Sequence, residues 1–175
     1  MILATDVQYL DRKGIVAGVL FEDWNSSAPA GEYVSEVDID AAYIPGQFYK
    51  RELPCILALL REHALSANII IIDGYVFLDE NERPGLGKYL YDALDGNAVI
   101  VGVAKNVFSG IGGEHMVFRG RSKIPVYITV IGDSLESAKK NVLSMYGEHR
   151  IPSLLKKADR LCRDRANKIN RPAQL

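Results

Sequence analysis

Thiols and imidazoles are scarce in this 175-residue chain, which has two cysteines and three histidines. Cys55 and Cys162 show neither a CxxC pair nor Cys/His metal spacing, so the chain reads as a reduced, cytoplasmic protein. Long apolar runs are missing as well. The longest, ANIIIIDGYVFL, is broken by Asp73 and is too short to cross a bilayer, which argues against a membrane partner. No basic leader precedes the strand-like MILATDVQYL, so no signal peptide is expected. The sequence shows no repeat, linker or low-complexity segment. Its length predicts one domain over residues 1–170, monomeric by default, with a core of its own.

Charge is balanced only in total. The formal net charge is −1, yet residues 1–100 carry 16 acidic and 7 basic side chains while residues 101–175 carry 6 and 14. An acidic half suited to metals and a basic half suited to phosphates fit a nuclease, although two ordinary surfaces of opposite sign would give the same tally.

Three acids stand in or against apolar elements: Asp6 in ILATDVQY, Glu52 in FYKRELP and Asp73 in IIIIDGY. Ionised carboxylates in such places are costly unless a cation pairs with them. No lysine or arginine recurs at a fixed offset to all three. A divalent metal held by hard oxygen ligands would neutralise them together and would make a phosphodiester-cleaving site. Each acid also has an ordinary reading. Asp6 could pair with Lys13, Glu52 could complement a helix dipole, and Asp73-Gly74 could be a turn.

Hydrophobic spacing orders the elements. Alternation predicts strands over residues 2–9, 14–23 and 32–40, joined by a DRKG hairpin turn and the turn-rich NSSAPAG. A helix over 53–65, with Pro54 in its first turn, precedes a solid apolar strand over 68–72. A helix over 86–94, a buried strand over 98–104, a further strand within 121–132 and helices near 134–146 and 152–167 follow. Three antiparallel strands, then alternating helix and strand, predict an α/β ribonuclease-H-like mixed sheet with helices on both faces. The first strand then lies beside the fourth, bringing Asp6 to the end of the strand that carries Asp73, with Glu52 at the N-terminus of the helix between. The Gly-rich IGGEH at 111–115 lacks the context of a phosphate loop and reads as a flexible connection. His63, His115 and His149 read as surface residues. Arg150, Lys156, Lys157, Arg160, Arg163, Arg165, Lys168 and Arg171 form a basic set that is either a solvated helix face or a source of phosphate contacts.

Taken in order, ATDVQY, AYIPGQFYKRELP, IIIDGY, PGLGK, VGVAKNVFSG, RSK and YGEHRIPSLLKKAD resemble the endonuclease V family, nucleases that cut nucleic acid near inosine. The resemblance implies Mg²⁺, with Mn²⁺ substituting, bound by Asp6 and Asp73 with Glu52 as a direct or water-mediated ligand. It implies in-line hydrolysis leaving 3′-hydroxyl and 5′-phosphate ends, with Lys105 stabilising negative charge or orienting the nucleophile. Tyr43, Ile44, Pro45 and Gly46 would form the wedge that turns out the base, and Gly74, Leu86 and Gly87 would contact substrate. DNA or RNA is the implied partner. A catalytically weakened binding paralogue, or a nuclease of the same fold with another specificity, is the alternative.

The chain departs from the family in three places. Tyr75 and Val76 stand where the family has His-Gly, and the Val76 side chain is expected to intrude where a base approaches the backbone. The family's late Gly-His is replaced by Gly132-Asp133, which makes Asp133 a candidate fourth acid. The family's preceding helix is expected to be missing, and the region near 107–118 to be shortened.

Overall fold

The computed structural model describes residues 1–39 and 49–170. Strands β1 (Ile2–Leu10), β2 (Lys13–Phe21) and β3 (Gly31–Asp38) form an antiparallel meander. Helix α1 (Tyr49–Glu62), β4 (Ile69–Ile72), α2 (Leu86–Ala93) and β5 (Val99–Ala104) follow. β4 pairs in parallel with both β1 and β5, and β7 (Val126–Ile131) runs antiparallel to β5. The seven strands lie in the order β3-β2-β1-β4-β5-β7-β6, with the two-residue β6 (Met116–Val117) at the edge. Helices α3 (Leu135–Ser144) and α4 (Ser153–Asn170) complete a ribonuclease-H-like mixed sheet.

Side-chain alternation decides which helices cover which face. Ile2 and Ala4 of β1, Ile71 of β4 and Val101 and Val103 of β5 pack with Ala138, Val142, Leu154 and Ala158 of α3 and α4. Leu3, Val16, Ile70, Ile72 and Ile100 face the other way, toward Ile56 and Leu59 of α1 and Leu90 of α2. The IIII run of β4 is buried from its second residue on, as a strand covered on both faces must be.

Local chemistry refines several expected boundaries. α1 is already helical at Tyr49, so Pro54 lies inside it, beyond the first turn, where it removes one i→i−4 hydrogen bond. The helix stops at Glu62 rather than 65, and Ala64 follows with φ 48°. The segment expected to be a flexible connection instead makes a 3-10 turn, Gly113–His115, leading into β6. His115 Nδ1 lies 2.6 Å from the Ile128 carbonyl, and His63 Nε2 lies 3.2 Å from Ser35 Oγ. Both rings are half-buried, whereas His149 is exposed.

A buried arginine holds the segment between α3 and α4. Arg119, 4% exposed, donates to the carbonyls of Met145 at 2.5 Å, His149 at 2.7 Å and Gly147 at 3.2 Å. Arg119→Met would strand these carbonyls and is expected to destabilise the protein by about 3 kcal/mol. Urea unfolding checks this, and Arg119→Lys, which offers fewer donors, should recover only part of the loss.

Candidate active site

The pairing of β1 with β4 builds the site. Thr5 pairs with Ile72, so the next residue on each chain segment, Asp6 in the middle of β1 and Asp73 just beyond the end of β4, comes side by side. Ile72 pairs with Gly102 on β5, whose strand runs on to Lys105. Alternation points Asp6, Asp73 and Lys105 toward the face covered by α4. A cleft of about 230 Å³ there is lined by Asp6, Asp73, Lys105, Leu155, Asp159 and Arg163, among others.

Glu52 reaches the same acids from the opposite face. It stands in the first turn of α1, and a narrow cavity of about 100 Å³ joins it to Asp6 and Asp73. A third cavity, about 310 Å³, adjoins Glu52 and Asp73 and is walled by Tyr49, Gly74, Tyr75, Leu86 and Phe108. The Tyr75 and Phe108 rings stand 6.0 Å apart, and the Arg83 guanidinium lies 5.4 Å over Phe108.

The loop that carries Asp73 is firmly seated. A Cβ on Gly102 would come within 2.5 Å of the Gly74 carbonyl, so glycine there lets the loop settle onto β5. Val76 N–H donates to Thr129 Oγ1 at 2.8 Å, and Tyr75 hydroxyl donates to the Asn106 carbonyl at 2.6 Å. The expected intrusion of Val76 does not occur. Its side chain is fully buried in the core beneath α2, against Gly87, where a Cβ would lie 2.6 Å from Val76 Cγ2. Gly87 thus sits in the packing behind the aromatic pocket, while Gly74 and Leu86 line it.

Electrostatics marks Asp6 and Glu52 as strained. Burial, followed by the nearby Asp73 charge, raises the pKa of Asp6 from 3.8 to about 7. Burial, then Asp73 and Asp6, raises Glu52 from 4.5 to about 8. Burial opposes the Lys105 ammonium, but its contact with Asp73, at 2.5 Å, outweighs this and raises its pKa. Arg150 donates to the Lys105 carbonyl and, at 2.8 Å, to that of Pro125, which secures the backbone of this lysine.

Sequence reasoning missed Asp159. It projects from α4 into the cleft, contributes to the raised pKa of Asp6 and pairs with Arg163 at 2.9 Å. Its one sequence signal was an acid directly after Ala158, at the flank of the buried stripe of a helix rich in lysine and arginine. Asp133 is not the fourth acid. It sits beyond Ile131, which pairs with Ile100 at the other end of β5, and it bonds to Ser134 and Ser137 at the start of α3. The pairing considered for Asp6 with Lys13 is also absent, since Lys13 contacts Glu36 and Asp6 accepts from Val7 N–H. Tyr43, Ile44, Pro45 and Gly46 lie outside the described residues.

Residues 1–128 match the family model of endonuclease V. The chain belongs to the endonuclease V family. An endonuclease V of Streptomyces coelicolor is 28% identical over 185 residues, covering 93% of this chain and 77% of that protein. The crystal structure of endonuclease V from Streptomyces avermitilis superposes with a TM-score of 0.77 at 26% identity, covering 97% of this chain and 82% of that one. Endonuclease V of Ciona intestinalis, in complex with a 24mer DNA containing an inosine followed by a ribo-adenosine, shares the fold at a TM-score of 0.78 and 19% identity, over 96% and 86% of the two chains. As a member of this family the chain is a nuclease, a hydrolase of phosphodiester bonds.

The raised carboxyl pKa values set a pH dependence. Below about pH 4 the folded and unfolded states both hold these protons, and the stabilisation is fully present. As pH rises from there to about 7 and 8, the folded state keeps protons on Asp6 and Glu52 that the unfolded chain has lost, so stability falls until those groups ionise. The melting temperature of protein stripped of divalent ions should therefore drop between pH 5 and 8.5. Asp6→Asn should flatten that drop, read by differential scanning fluorimetry.

Proposed function

We propose that this chain is a divalent-metal-dependent endonuclease that hydrolyses one phosphodiester bond near a deaminated base, inosine, or a distorted base in DNA or RNA. Mg²⁺ is its ordinary ion and Mn²⁺ a substitute. The products carry 3′-hydroxyl and 5′-phosphate ends, and the role is nucleic-acid repair. The observation that carries this reading is the β1–β4 register, which sets Asp6 beside Asp73 with Lys105 and Asp159 lining the same cleft.

The donor set suits a hard cation. Among the described residues no three His, Cys, Asp or Glu side chains are already drawn together as a closed cage, and Asp73 is turned to Lys105. The chemistry of the site still fits: the acids converging here are all oxygen donors, and Asp6 and Glu52 resist ionisation where they stand. Beside Glu52, the buried Arg51 Nε has no hydrogen-bond partner among the described residues, so a hydrated ion would supply water where this donor lacks it. Asp6, Asp73, Glu52 and Asp159 would hold the ion, which when bound supplies Lewis-acid stabilisation of the phosphoryl oxygens.

The chain's own groups do the rest. Lys105, held in place through its carbonyl, offers a fixed positive charge to the oxygens of the phosphate under attack. The aromatic walls at Tyr75 and Phe108 receive an extruded base and replace stacking lost from the strand, offsetting a cost of a few kcal/mol. Tyr43, Ile44, Pro45 and Gly46 are proposed as the wedge that drives the extrusion. Residues 1–170 act as one domain, monomeric by default. The free, buried thiols Cys55 and Cys162 suit a reducing cytoplasmic setting, and among the described residues no helix is long and apolar enough to cross a membrane.

End-labelled single- and double-stranded DNA and RNA oligonucleotides carrying one inosine, incubated with Mg²⁺ and then Mn²⁺, test this. Cutting at a fixed position relative to inosine is expected, abolished by Asp6→Ala and slowed about 100-fold or more by Lys105→Ala. Binding without cutting in either metal would establish the catalytically weakened paralogue. Cutting indifferent to inosine would remove the base specificity and keep the nuclease.

A further inference from the structure

The acidic cleft does not end at Asp159. Lys156 and Arg163 line both the cleft and a groove of about 690 Å³ that runs along α4 past Lys157, Arg160 and Asn167. At its other side this groove meets a depression of about 680 Å³ between Arg121 and Arg150, the two sharing His149. Three concavities therefore form one path leading away from Asp6 and Asp73.

Not all charge along this path is free. Lys157 is paired with Glu32 at 2.9 Å and Arg163 with Asp159, and the groove also contains Asp164 while the depression contains Glu148. Lys156, Arg160 and Arg121 are exposed, and none is in an ion pair among the described residues. On a convex helix they would be an ordinary solvated face. Here they line a concave surface continuous with the hydrolytic cleft, where uncommitted cations suit phosphates.

Direction follows from the arrangement of cavities. The aromatic pocket proposed to take the base lies on the α1–α2 side, and Asp73 is the one residue it shares with the cleft on the α4 side. A strand with its base in that pocket and its scissile bond over the acids must leave on the α4 side. We infer that the groove along α4 is the track for the substrate strand beyond the cut, away from the recognised base, with Lys156, Arg160 and Arg121 contacting its phosphates. This rests on the nuclease reading above. From residue 156 to 163 the helix rises about 10 Å, the span of about three nucleotide steps of one duplex strand.

The test measures binding of fluorescein-labelled, inosine-containing oligonucleotides to the Asp6→Asn protein, which does not cut, across a salt series. Three oligonucleotides are compared: full length, truncated on the cut side, and truncated on the opposite side. Arg121→Glu with Arg160→Glu should raise Kd for the full-length oligonucleotide about 10-fold and reduce the salt slope by about 2. The variant and its parent should bind the cut-side truncation alike. An unchanged Kd, or an equal loss on the cut-side truncation, overturns the track. A thermal melt verifies that the double variant folds; if it does not, Arg160→Ala alone should lower the slope by about 1, and no change overturns the inference. Cleavage by the protein with Asp6 intact is scored separately. Cutting without a flank-dependent loss removes the track alone, and a flank-dependent loss without cutting removes the nuclease reading alone.

Discussion

A buried carboxyl set beside a second carboxylate resists ionisation, and the parallel pairing of β1 with β4 imposes that position on Asp6. The register carries Asp6, within β1, beside Asp73 just beyond β4, and burial followed by the Asp73 charge raises the pKa of Asp6. The surroundings answer this one constraint. Lys105 stands against Asp73, Gly102 lets the Asp73 loop lie close on the sheet, and Arg150 fastens the backbone from which Lys105 projects. A protein selected only for stability would not keep such a cluster, because an unneutralised acid in this position costs more than an apolar residue of similar size.

The fold was legible because its signals are periodic. Alternation in the first three strands, the unbroken apolar run of β4 and the spacing of the helices together specify the order of elements, and the strand order follows from established rules of connection. The short pieces were not legible. β6 is two residues long, and its position depends on pairing with Val126 and Tyr127, which no local pattern announces. The helical start of α1 at Tyr49 was hidden by Pro54, which sequence alone places most naturally in a first turn.

The site divides in the same way. Asp6, Glu52 and Asp73 could be picked out because each interrupts or abuts an apolar element, where a charge needs a reason, and Lys105 through the resemblance carried by VGVAKNVFSG. Asp159 could not, since an acid on a helix rich in lysine and arginine looks like ordinary surface, and only the packing of α4 across β1 turns it inward. Val76 misled in the opposite sense. The residue type implied obstruction of the pocket, but backbone direction decides where a side chain goes, and the bond from Val76 N–H to Thr129 turns it into the core.

α4 covers strands made much earlier in the chain. Ile15 and Ala17 of β2 pack on Cys162 and Ala166, and Ala4 of β1 lies in the same cluster as Leu154 and Ala158. A ribosome releases the first two strands long before this helix, so one face of the sheet stays uncovered until residues 153–170 have been made. The cations that balance the acidic first hundred residues arrive in the same late stretch. The nascent chain therefore passes through a stage that is apolar on one sheet face and strongly negative overall. Its closing contacts are among the most distant in sequence, which places the slow, aggregation-exposed step of folding at the docking of its basic C-terminal helix.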